Sequence, residues 1–169
     1  APRAVAARLP ASVRVIDVAD VSRGILEHAP YFDQANHGVL TNSRARVFVN
    51  DGRQHLQSQV DATYDLITLE PPPISYAGVA ALYSKEFYEL ARSRLTPGGY
   101  ISQWLPTYQV PTPTTLAMIR AFIDVFPQAV LLSGAQADLL LIGTNEPAIE
   151  LDPARMLSTL AQRSAVRDD

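Results

Sequence analysis

"SKEFYELARSRLTPGGYISQWL" (84–105) reads as a helix that passes through a sharp turn into a strand. Phe87, Leu90, Ala91 and Leu95 recur at the three- and four-residue spacing of a single helical face. Ser84 suits the N-cap, because its hydroxyl can accept a backbone N–H of the first turn. Pro97-Gly98-Gly99 ends the helix, since proline has no N–H to give and glycine accepts the left-handed cap. "GYISQWL" (99–105) then runs as a strand, and "YDLITLE" (64–70) forms another ahead of the helix. Their nearly continuous apolar character is that of strands covered on both faces, as in a parallel sheet.

The same alternation extends in both directions. "VRVIDVAD" (13–20) and "RVFVN" (46–50) are strands, and "AVLLS" (129–133) with "DLLLIGT" (138–144), divided at Gly134, is a closing β-hairpin. In "TPTTLAMIRAFIDVF" (112–126) Leu116, Ile119, Ile123 and Phe126 make a helical stripe, with Thr112 as cap and Pro113 at the first helical position. "VSRGILEHA" (21–29) is a weaker helix and "RQHLQSQ" (53–59) a short one; the stretch from Pro153 to Gln162 is helical, and the last residues fray. Strand and helix in alternation, with a final hairpin, predict an α/β doubly wound sheet over residues 1–150 and a helical tail over 151–169. Ligands of such sheets bind beyond the carboxyl ends of the strands. That rule places Asp20, Asp51, Glu70 and Gln103 on one edge.

Bulk composition narrows the function classes. The chain has 169 residues, 47% hydrophobic and 18% charged, which is a globular balance with enough material for a core. Its net charge of −3, with arginines scattered, disfavours nucleic acid or an anionic membrane as main partner. There is no cysteine, so disulfides and thiolate metal sites are excluded, and a cytoplasmic location fits. No apolar run approaches the roughly 18 residues of a spanning helix, and no signal peptide is visible. The chain opens on Ala rather than Met and is expected to be part of a longer protein.

Four positions are candidates for chemistry. Asp20 ends its strand, where a carboxylate can accept both hydroxyl hydrogens of a ribose; capping the following helix is the structural alternative. Asp51 can accept from an exocyclic adenine amine while Gly52 lets the backbone approach the ring; a capping Asp and a turn Gly explain the pair equally. Glu70 precedes Pro71, Pro72 and Pro73, which hold one extended shape and could aim the carboxylate into a cleft; a plain solvated strand exit is the alternative. His28, His37 and His55 share no metal-ligand spacing and read as surface or turn residues, so no metal is expected. Tyr83, Phe87 and Tyr88 read as packing residues, and Trp104 lines the cleft or fills the core.

"RVFVNDGRQHL", "YDLITLEPPP" and "AALYSKEFYELARSRLTPGGYISQWL", in this order, resemble the spermidine synthase family of polyamine aminopropyltransferases. With "YFDQANHGVL", the likeness is strongest to the bacterial branch fused to membrane segments. The resemblance covers roughly residues 12–144 and is most specific from Leu82 to Gln103. It implies a Rossmann-like class I methyltransferase-type sheet and aminopropyl transfer from decarboxylated S-adenosylmethionine to a small-molecule amine such as putrescine. It assigns the donor ribose to Asp20, the adenine to Asp51 and Gly52, and catalysis to Glu70 in place of the family's aspartate. No metal is needed. A homodimer, and membrane segments in the longer parent, are compatible with the resemblance.

The pattern departs from that family in three ways. The chain begins at the helix that follows the usual Gly-rich loop, so the first, central strand and the loop itself are expected to be missing. The two strands that normally flank it would then lose their common neighbour, and the isolated chain is expected to be weakly active or inactive. Pro73 stands where a second loop aspartate is usual, and "SGAQADL" replaces a tyrosine-bearing loop. The family's N-terminal β-hairpin domain is likewise expected to be missing. Two further readings stay open: an S-adenosylmethionine-dependent methyltransferase of the same fold, and a non-catalytic nucleoside-binding scaffold. A dinucleotide-binding domain is disfavoured, because no G-x-G-x-x-G is present.

Overall fold

The computed structural model describes residues 13–36, 38–72, 74–134, 138–149 and 152–162. The chain divides into two compact units, one of residues 1–52 with 150–169 and the other of residues 53–149.

In the first unit, β1 (Ile16–Asp20) and β2 (Ala45–Val49) pair in parallel, from Ile16 opposite Ala45 to Asp20 opposite Val49. They are joined through α1 (Arg23–His28), the one-turn α2 (Asp33–Asn36) and short 3-10 turns. Ser22 caps α1, its hydroxyl accepting from Ile25 N at 3.3 Å. Asp17 and Arg46 stand opposite each other on the two strands. Arg46 donates to both carboxylate oxygens of Asp17, at 2.6 and 2.8 Å. The forked geometry suits guanidinium on carboxylate and pins the register, since the Asp17 side chain is only 4% exposed. α6 (Pro153–Gln162) belongs to this unit.

The second unit carries most of the core. α3 (Gly52–Ser58) leads into β3 (Tyr64–Leu69), which pairs in parallel with β4 (Leu95–Leu105). α4 (Lys85–Arg94) makes the crossover, capped by Ser84, whose hydroxyl accepts from Phe87 N at 3.2 Å. α5 (Thr112–Ile123) follows, then the antiparallel pair β5 (Val130–Ser133) and β6 (Leu139–Thr144), with sheet order β3-β4-β6-β5. One face of this sheet presents Ile67, Ile101, Gln103, Leu105 and Leu141, all buried with Phe87, Tyr88 and Phe122 of the helices. Residues on the other face, including Leu66 and Tyr100, are far more exposed.

The α/β architecture, the final hairpin and the Ser84 cap stand as the periodicity requires. Several details differ. β4 begins at Leu95, because Thr96–Gly99 bulges out of the ladder between Tyr64 and Leu66 instead of ending it, with Gly98 at φ +74°. Thr112 does not cap α5; Pro111 is the N-cap residue and makes no side-chain cap bond. His55 is buried rather than superficial, its Nε2 3.0 Å from the Tyr64 hydroxyl. His37, Pro73, the first twelve residues and the last seven lie outside the described residues. Among the described residues β1 pairs only with β2, and β3 only with β4.

Candidate functional site

Each unit brings part of the expected site to the carboxyl ends of its own parallel strands. In the first unit, Asp20 closes β1 opposite Val49, and Asp51 lies two residues past Val49 at the same end. Asn50 N donates to Asp20 O at 3.0 Å, which extends the pairing to the strand ends. Asp20 Oδ1 accepts from Ser22 N at 2.7 Å, so this carboxylate also shapes the entry to α1. Asp20 therefore does not cap α1, the structural role weighed for it; Ser22 does, and Asp20 forms an Asx turn two residues before that cap. Asp51 and Gly52 are half-buried at the head of α3. A Cβ built on Gly52 meets nothing within 4 Å, so the backbone there is open to close approach.

In the second unit, Leu69 lies opposite Gln103, and Glu70 follows as the first residue beyond β3. Glu70 is exposed, and Pro71 behind it is buried and anchors the loop. Continuing the strand alternation puts Glu70 on the more open face with Leu66 and Thr68. Gln103, expected on the ligand edge, is instead fully buried on the helix-covered face. Its Nε2 donates to Trp104 O at 3.0 Å, and its Oε1 has no partner among the described residues. Trp104 alternates to the open face, where its indole N–H donates to Asp138 Oδ1 at 3.2 Å and its ring meets Tyr108 edge-on at 5.9 Å.

The contacts of Asp138 and Tyr108 with Trp104 were not legible in the sequence. Asp138 precedes a strand, and only the antiparallel pairing of β6 with β4 brings a strand start to the edge where β3 and β4 end. A clue existed in the acid placed directly before the apolar "LLLIG". Among the described residues no group of acids and histidines is arranged to hold a metal. No described helix is long and apolar enough to cross a membrane. An open crevice of about 500 Å³, lined by Lys85, Glu89, Arg92 and Asp124 among others, also involves Ser93 and Asn145. Those two flank the start of β4 and the end of β6, at the opposite edge from Glu70.

The model of the spermine/spermidine synthase domain matches residues 10–128. A polyamine aminopropyltransferase 2 of Pseudomonas aeruginosa is 31% identical over 121 residues, covering 70% of this chain and 34% of that protein. The chain thus spans about a third of that relative's length. Among solved structures, spermidine synthase from Thermotoga maritima superposes with TM-score 0.66 at 20% identity, over 86% of this chain and 51% of that one. Human methyltransferase-like protein 13 in complex with SAH superposes with TM-score 0.69 at 18% identity, over 92% and 72%. These two likenesses establish a fold shared by spermidine synthases and class I methyltransferases. With more than half its length matched by the domain model, the chain belongs to the spermine/spermidine synthase domain family.

Proposed function

We propose that this chain is the Rossmann-like part of an aminopropyltransferase that uses decarboxylated S-adenosylmethionine and an amine such as putrescine. The observation that carries the reading is the domain match over residues 10–128, which takes in Asp20, Asp51, Gly52 and Glu70. Asp20 accepts from the donor ribose, and Asp51 accepts from the adenine amine while Gly52 admits the ring. The neutral amine nitrogen attacks the aminopropyl carbon next to the sulfonium. The carbon–sulfur bond breaks with its electron pair going to sulfur, which leaves as the neutral sulfide methylthioadenosine. Glu70 holds the attacking amine and accepts the proton it sheds. Alignment of nitrogen, carbon and sulfur supplies much of the remaining rate.

The proline-rich loop and "YFDQANHGVL" support placement in the membrane-fused bacterial branch, as the cytoplasmic part of a longer protein. A homodimer is compatible with that placement. The methyltransferase alternative draws on the fold likeness at TM-score 0.69. The donor's carboxylate separates the two readings. Calorimetric titration should show micromolar binding of decarboxylated S-adenosylmethionine and weaker binding of S-adenosylmethionine. The reverse order would transfer the chain to the methyltransferases, and binding of neither would make it a non-catalytic scaffold. In turnover assays of the longer parent protein Glu70→Gln should abolish transfer and spare donor binding; unchanged turnover would remove Glu70 from the mechanism.

A further inference from the structure

An amine acceptor with two nitrogens presents a distal ammonium that needs an anionic seat. The loop after Glu70 supplies none, because Pro71, Pro72 and Pro73 carry no charge. The sheet edge of the same unit offers another acid. Leu105 pairs with Leu139, so Asp138 falls one step further along the edge. Alternation puts Asp138 on the face of Trp104 and Leu140, which is also the face of Glu70. The Trp104 indole N–H fixes Asp138 through Oδ1, and Oδ2 has no hydrogen bond among the described residues. Tyr108, 70% exposed, stands edge-on to Trp104.

Resting on the aminopropyltransferase reading, we propose that Asp138, oriented by Trp104, holds the distal ammonium of a diamine whose other nitrogen meets Glu70. Strands lie about 4.8 Å apart and rise about 3.3 Å per residue. Glu70 and Asp138, separated by β4 and offset by about two residues, are thus on the order of 12 Å apart at their Cα atoms. An extended four-carbon diamine spans about 6 Å between nitrogens on standard bond lengths. A charge-assisted hydrogen bond of about 2.8 Å at each end brings the total to roughly 12 Å. Side chains on one face of a sheet stand roughly perpendicular to it, so the two carboxylates keep about the separation of their Cα atoms and the span accommodates a diamine of this length.

The test is calorimetry of the chain, saturated with decarboxylated S-adenosylmethionine, against 1,4-diaminobutane and 1-aminobutane. The wild-type chain should prefer the diamine. Asp138→Asn keeps an acceptor for the Trp104 N–H and removes only the charge. It should weaken the diamine by about tenfold or more, the scale of a hydrogen bond to a charged group, and leave the monoamine unchanged. Trp104→Phe, which frees Asp138 from its donor, should erode the same preference in part. A diamine preference that survives Asp138→Asn overturns the assignment while the aminopropyltransferase reading stands. Donor binding with neither amine bound overturns the assignment as well, and absence of donor binding overturns the reading beneath it.

Discussion

At the scale of single residues, the ends of strands carry the information. Asp20, Asp51 and Glu70 each lie at or just beyond the carboxyl end of a parallel strand, as read from the apolar runs that precede them. Asp51→Ala should weaken donor binding by about 1–3 kcal/mol, the range for a hydrogen bond lost at a charged group, measured by calorimetry. Gln103 shows the limit of such reading. It also lies near a strand end, yet alternation turns it under α4 and α5 while its neighbour Trp104 faces the open side. A second residue-scale consequence lies in the core. Tyr88 is fully buried, edge-on to Phe122 at 4.9 Å, and its hydroxyl has no partner among the described residues. Tyr88→Phe keeps the ring contacts and removes an uncompensated polar atom. It should raise stability by about 1–3 kcal/mol, the desolvation cost of such a group, seen as a higher urea midpoint with an unchanged slope.

At the scale of elements, a cap that acts within one turn was readable where a hydroxyl stood alone before the apolar stripe. Ser84 caps α4 through Phe87 N as read, whereas Thr112 does not cap α5, and Ser22, not read as a cap, caps α1 through Ile25 N. The path from α4 into β4 was less readable. Pro97-Gly98-Gly99 has the local chemistry of a full stop, but the segment stays in the sheet as a bulge. The reason is tertiary: a Cβ on Gly99 would stand 2.9 Å from Thr96 O and 3.1 Å from Tyr64 O, so the ladder needs a residue without a side chain there. The packing of α5 on β6 has the same basis. A Cβ on Gly143 would stand 2.7 Å from Phe126 Cγ and 3.0 Å from Phe122 Cε1. Gly143→Ala should cost about 1–3 kcal/mol, the usual penalty of overpacking, read as a lower urea midpoint.

At the scale of the whole molecule, the core of the second unit ties stability to alkaline pH. Burial pushes the Tyr83 phenol up to about 12. Burial pushes the Tyr88 phenol up as well, and the neighbouring Tyr83 adds to the rise. In an unfolded chain tyrosine ionises near pH 10. Below that value both states hold the protons and the stabilisation is complete. Above it the unfolded state releases protons that the folded state keeps, so stability falls as pH rises toward the folded values. Urea midpoints should therefore stay level to about pH 9.5 and decline beyond pH 10, with the decline much reduced in a Tyr83→Phe, Tyr88→Phe double variant. From the sequence by itself come the alternation of strand and helix, the Ser84 cap, the closing hairpin and the acids at the ends of parallel strands. Each depends on periodicity or on contacts within a few residues. The tertiary structure alone decided that β4 runs from Leu95, that Gln103 is covered and Trp104 open, and that Asp138 comes to the edge of Glu70. Those outcomes depend on which distant strand pairs with which, and in what direction, and local periodicity carries no record of a partner some 35 residues away, as Asp138 is from Trp104.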